Sequence, residues 1–276
     1  MTLIENFKKY GFLELLNIFS KDEINSINII ADPIIKKKFN KTKTEIIFEE
    51  LIKSGIADIV LNNTNLRKII LEILPDPILF GFNIYEVDIL QKRTHTSDNN
   101  IDGWHVDTPV LPFLDRKQPN FVSLMVYLTD VMSFEDGAFE VTSENNLNNL
   151  KSGLPSKKIL GIKGTSFIWN NNYAHRASPN TGKIRRRVLK IGFQNNYIQS
   201  ALYPKMQYAY KDLLIKDEFT DFIFGKFHHT SIKAHKIDHL LSDYKNSIYY
   251  KKIEYNTSIK LGKILGLKKL IKNLFT

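Results

Sequence analysis

The chain has 276 residues, 39 Lys and Arg against 29 Asp and Glu for a formal charge of +10, and no Cys. That length fits one large domain, or one domain with an extension, and a 43% hydrophobic, 25% charged composition is that of an ordinary globular protein. Without Cys there are no disulfides, thiolate zinc sites, iron–sulfur clusters or cysteine nucleophiles.

Residues 1–16 hold Glu5 and Glu14 and no basic segment followed by an apolar run. No stretch reaches the roughly 18 apolar residues of a membrane span. A cytoplasmic protein is the expectation. Residues 5–31 read as two short helices around a turn, the second opened by Ser20 and Glu23 in capping-box spacing. Residues 33–78 read as further helical pieces, with Leu51, Ile52, Ile56, Ile59, Val60 and Leu61 at helical spacing.

The pattern then changes to alternation. Phe82–Leu90, Phe121–Thr129, Ala138–Thr142, Lys158–Ile162, Thr165–Asn170 and Arg185–Gln194 are short and rich in Val, Ile, Phe, Tyr and Thr. Gly, Asn, Asp or Pro bounds them. Strands at this spacing, without helices between them, predict an antiparallel sandwich or barrel. After Tyr197 the chain returns to helical, aromatic-rich segments. The expected organisation is a domain over residues 1–200, helical over residues 1–80 and with a β core over residues 81–196, followed by a helical extension over residues 201–276.

The positive charge is concentrated at the end. Residues 244–276 hold eight Lys and one acid, Glu254, and so carry +7 of the +10. The body is only mildly basic, which argues against nucleic acid as a partner. The tail suggests weak contact with an anionic surface or partner. His235 and His239 in HKIDH are four apart, but the glutamate of a zinc-protease HExxH is missing.

Trp104-His105-Val106-Asp107 carries the chemistry. On an extended strand, positions i and i+2 share a face, so His105 and Asp107 can offer a nitrogen and an oxygen to one metal. His175 follows the Thr165–Asn170 strand, and a barrel brings such distant strands together. Two His and one Asp make a facial triad with open positions, the arrangement of non-haem Fe(II) oxygenases. Arg186 lies eleven residues after His175 on the next strand, where it can grip a carboxylate with two parallel hydrogen bonds. Alternation places Arg185 and Arg187 on the opposite face. Ser123, Met125 and Tyr127 share a face of their strand and are candidates to line a pocket or to pack in the core.

These residues resemble the phytanoyl-CoA dioxygenase family of Fe(II)/2-oxoglutarate oxygenases, from about Glu5 to Asn195. The resembling segments are Phe7–Leu13 with Phe19–Ile24, Trp104–Asp107, Leu128–Asp130 with Asp136–Phe139, Gly164–Trp169, and His175 with Pro179, Asn180 and Arg186. The resemblance implies a mainly β (α+β) fold, a double-stranded β-helix (jelly-roll, cupin-like) core with helices at both ends. It implies Fe(II) held by His105, Asp107 and His175, 2-oxoglutarate chelating the iron with its far carboxylate on Arg186, and O2 as oxidant. Asn180 would help shape the iron site, and Ser123 and Tyr127 would line the co-substrate pocket. The expected reaction is hydroxylation of a small-molecule metabolite, natural product, glycan or lipid precursor, with release of succinate and CO2.

Two departures stand out. Thr142-Ser-Glu-Asn145 replaces the family's Pro-Gly-Ser-His, and Ala177 replaces a Ser often found there, so one hydrogen bond to 2-oxoglutarate is either lost or taken over by Ser178. A non-catalytic cupin-like binding protein, an oxygenase acting on nucleic acid and a zinc hydrolase are the alternative readings. Substrate choice is expected to lie in residues 91–102, 108–120 and 197–210.

Overall fold

The computed structural model describes residues 3–39, 43–74, 77–89, 103–107, 119–142, 156–195 and 210–224. The basic tail, the HKIDH pair and nearly all of the three proposed specificity segments lie outside them.

Ser20 opens the first long helix as its spacing predicts. Its hydroxyl accepts from the Glu23 amide at 3.2 Å while Glu23 accepts from the Ser20 amide at 2.7 Å. Before it come α1 (Leu3–Tyr10) and β1 (Phe12–Leu15); the capped helix is α2 (Lys21–Lys38). Ile24, Ile27, Ala31 and Ile35 recur every three or four positions and form its buried stripe. Then follow β2 (Lys43–Ile46), α3 (Phe48–Lys53), α4 (Ile56–Leu61) and α5 (Thr64–Ile73). Asn63 caps α5 by accepting from the Leu66 amide at 2.9 Å.

Two short strands occupy the segment whose pattern reads as helical. Phe12–Leu15 pairs with Ser166–Trp169, and Lys43–Ile46 pairs with Ile84–Val87. Four residues are too few for a period to distinguish strand from helix, and sheet pairing decides these two.

The β core comprises β3 (Pro77–Val87), β4 (Phe121–Tyr127), β5 (Phe139–Thr142), β6 (Ser156–Ile159), β7 (Ser166–Asn170), β8 (His175–Ala177) and β9 (Arg186–Asn195). Six strands form one sheet in the order β1-β7-β4-β9-β3-β2, and three form a second in the order β6-β5-β8. All pairs are antiparallel.

The large sheet has two differently employed faces. Ile84, Val122, Leu124, Val126, Ile168, Leu189 and Ile191 point outward and pack against α1–α5. Met125, Tyr127, Phe167, Trp169 and Val188 point inward and meet Phe139, Val141 and Ile159 of the small sheet. Each fully buried side chain of this kind stabilises the fold by about 1.5–3 kcal/mol. Tyr127 ties the sheets together: its hydroxyl donates to the Ile159 carbonyl at 2.9 Å and accepts from the Phe139 amide at 3.0 Å.

The later segment 210–224 contains a 3-10 turn at Tyr210–Asp212 and α6 (Glu218–Ile223). It is docked on the helical layer. Asp58 accepts from the Leu214 and Ile215 amides at 2.9 and 2.8 Å, and Arg67 pairs with Asp217 at 2.6 Å. No helix among the described residues is long and apolar enough to cross a membrane.

Candidate metal centre

The inner faces of the two sheets enclose the site. His175 begins β8, and alternation turns it inward opposite Val141. His105 lies in the short segment 103–107 and is joined to His175 by two backbone hydrogen bonds of 3.0 and 2.9 Å. The ring centroids of the two imidazoles are 4.4 Å apart. Asp107 completes the group: its Oδ1 is 3.3 Å from His105 Nε2 and its Oδ2 is 3.4 Å from His175 Nε2. One ligand atom from each residue lies within 4.8 Å of the others. Metal–ligand bonds of about 2.1 Å place neighbouring donors about 3 Å apart, so these separations suit a single ion.

The hydrogen bonds prepare both imidazoles for that role. His105 Nδ1 lies 3.0 Å from the Gly103 carbonyl, and His175 Nδ1 lies 2.9 Å from the Tyr173 carbonyl. A carbonyl only accepts, so each Nδ1 carries a proton and each Nε2 is turned toward Asp107. Burial outweighs the neighbouring carboxylate and holds the His175 pKa below the ordinary imidazole value. Burial alone would raise the Asp107 carboxyl, but Lys190 and the two imidazoles outweigh it and hold it well below the usual range. Two imidazole nitrogens and an anionic carboxylate thus converge on one point, a donor set that suits a cation.

Lys190 contributes some of the charge that holds Asp107 ionised. Its ammonium donates to Asp107 Oδ2 at 2.9 Å and lies 5.2 Å from the Trp169 ring centre. It shares the inner face of β9 with Arg186, four residues or about 13 Å along the strand. Nothing in the sequence pattern singles out Lys190, because one Lys in an apolar strand also fits an edge or a snorkelling position. The signal that could have found it is parity: it shares that of Arg186.

Arg186 is 1% exposed, yet its only hydrogen bond among the described residues runs from Nη1 to the Gly137 carbonyl. Nε and Nη2 are buried without a partner. A guanidinium so placed is costly unless an anion answers it. Tyr85 lies against its face at 5.8 Å. Arg187 points the other way and pairs with Glu86 at 2.7 Å and Asp32 at 2.6 Å, and Arg185 pairs with Asp88 at 2.9 Å. Alternation therefore identifies the inward Arg of the run correctly.

A cavity of about 130 Å³ joins these groups, lined by the triad, Arg186, Lys190, Met125, Phe139, Trp169 and Ala177, with Lys43, Asn83 and Tyr85 at one side. The other expected site residues lie elsewhere. Tyr127 is inward-facing, but its hydroxyl is committed to both sheets, and burial raises its pKa far above the usual phenol value. Ser123 is fully buried beside Trp169 and Gly192 in register, and it does not line this cavity. Asn180 is likewise buried and outside the lining. It donates to the Val87 and Ile184 carbonyls at 3.3 and 2.9 Å and so braces the turn that leads to Arg186. Ser178 is buried with its hydroxyl unpartnered, and Ala177 lines the cavity in its place.

The fold is similar to that of several solved proteins. HygX from Streptomyces hygroscopicus, solved with nickel and 2-oxoglutarate, is 16% identical over 72% of this chain and 89% of its own, with a TM-score of 0.54. AviO1 from Streptomyces viridochromogenes Tue57 is 14% identical over 72% and 96%, with a TM-score of 0.59. The non-heme monooxygenase ThoJ, solved as a nickel complex, is 16% identical over 70% and 77%, with a TM-score of 0.55. No family model matches the sequence, and no curated protein does.

Proposed function

We propose that the protein is an Fe(II)- and 2-oxoglutarate-dependent dioxygenase of the phytanoyl-CoA dioxygenase kind that hydroxylates a small molecule. The observation that carries this reading is the convergence, in one cavity, of a His–Asp–His donor set and the Arg186 guanidinium, two of whose nitrogens lack a partner. The structural neighbours support it. HygX has also been solved with hygromycin B beside nickel and 2-oxoglutarate, and SnoN is an epimerase from nogalamycin biosynthesis. A natural-product or glycoside-like substrate is therefore the favoured class.

In this reading His105, Asp107 and His175 hold the metal through Nε2, a carboxylate oxygen and Nε2. Iron and 2-oxoglutarate bound there supply oxidative C–H chemistry, with succinate and carbon dioxide as by-products. Arg186 receives the far carboxylate of 2-oxoglutarate on the two nitrogens that otherwise lack partners. Lys190 keeps one Asp107 oxygen engaged and so restrains the carboxylate's rotation. Phe139, stacked on His175 at 5.4 Å, and Trp169, at the same distance, form a dry wall behind the imidazole. Asn180 and Gly137 act through Arg186 by fixing its approach.

Anaerobic titration of the protein with Fe(II) and 2-oxoglutarate tests this reading. The expected result is a visible charge-transfer band, lost in His175→Ala, together with succinate formation once oxygen is admitted. A wild-type protein that shows neither would overturn it.

A further inference from the structure

Glu140 lies on the outer face of β5, turned away from the cavity, yet it is 3% exposed. A buried carboxylate needs partners, and this one has two. Arg176 donates to it from Nε at 2.6 Å, and the Ser156 hydroxyl donates to its other oxygen. Arg176 immediately follows His175 and stands opposite Glu140 in register. The imidazole therefore points inward and the guanidinium outward.

The face of that guanidinium lies on Trp104, with Cζ 4.8 Å from the ring centre. Trp104 immediately precedes His105. The two ligand-bearing segments thus meet twice. Inside the small sheet, His105 and His175 face each other; outside it, Trp104 and Arg176 stack; the paired backbone hydrogen bonds run between. Segment 103–107 belongs to neither sheet, but it carries two of the three proposed ligands.

We infer that Arg176 is a positioning residue: fixed by Glu140, it clamps Trp104 and thereby sets His105 and Asp107 against His175. The inference rests on the metal reading above. An Arg suits the role because one planar group can stack on indole and also direct an N–H at a carboxylate; a Lys ammonium is a point charge.

The test uses the full chain. Arg176→Met combined with Glu140→Gln leaves no buried carboxylate unpaired, and Trp104→Leu removes the clamp from the other side. Co(II) affinity is measured by calorimetry, and amide exchange at residues 103–107 is followed without metal. Each variant is expected to weaken Co(II) binding about tenfold or more, the effect typical of groups that orient metal ligands. The two together should weaken it no further than one, because they break the same contact. Exchange at residues 103–107 should quicken while β4 and β9 keep wild-type protection, and Arg176→Lys should not restore affinity. A role confined to stability would lower the melting temperature and leave Co(II) affinity and the 103–107 amides as in wild type; that outcome overturns the inference. If the wild-type protein binds no Co(II), the metal reading fails, and amide exchange alone still decides the clamp.

Discussion

At the scale of single residues, Arg186 combines nearly complete burial with two unanswered nitrogens. Arg186→Met should raise the 2-oxoglutarate requirement by roughly 10–100-fold, in line with losing charge-assisted hydrogen bonds of about 1.5–3 kcal/mol. Fe(II) binding without co-substrate should change much less, and titrating the two ligands separately checks this. Lys190 governs a different property. The Asp107 carboxyl is held well below its usual value of 3.8, so in the metal-free protein it contributes stability that is present above that value. This contribution is lost only as pH falls through the folded-state value. Lys190→Met removes the cation and raises the Asp107 pKa, so acid destabilisation should begin at a higher pH than in wild type. Following circular dichroism from pH 7 downward in metal-free protein measures it; coincident acid transitions would exclude the pairing.

At the scale of elements, the turn at Asp136–Gly137 and the strand β9 jointly place Arg186. Gly137 has φ +78°, and an added Cβ would lie 3.2 Å from Asn180 Cβ and 3.5 Å from Arg186 Cδ. Gly137→Ala should therefore cost about 1 kcal/mol in backbone strain and also raise the 2-oxoglutarate requirement, a pairing that thermal melts and co-substrate titration can detect together. Gly192 meets a different neighbour: a Cβ there would sit 2.7 Å from the Phe80 ring. Most of these elements are legible in the sequence, because β3, β4, β7 and β9 have enough residues to show their alternation. β1, β2 and β8 do not, having only three or four residues each, and unlike the equally short β5 and β6 they are not flagged by neighbouring strand-like segments. The triad and Arg186 are legible because residue type and parity coincide in them. Tyr127 and Ser123 share the inward parity but do not line the cavity. The Tyr127 hydroxyl is consumed by the Ile159 carbonyl of the other sheet and Ser123 is buried beside Trp169 and Gly192, and only the pairing of the sheets reveals that.

At the scale of the molecule, the large sheet separates two cores. Ile27, fully buried on α2, belongs to the helix-side core and touches nothing in the cavity. Ile27→Ala should destabilise by about 2–5 kcal/mol while leaving Co(II) affinity unchanged, provided the measurement is made where the variant is folded. Denaturant unfolding and calorimetry give the two halves of that comparison. The same separation has an evolutionary consequence. Along β4 and β9, odd and even positions answer to different pressures, since one parity secures the helical layer and the other packs against the small sheet and, at Met125, Arg186 and Lys190, lines the cavity. Selection can revise the cavity without renegotiating the helix-side core. A library diversified only at the half-buried cavity-lining positions Asn83 and Ala177 should stay largely folded and, on the proposed function, scatter in substrate preference. One diversified at Leu124, Leu189 and Ile191 should be mostly lost to aggregation before any preference can be measured.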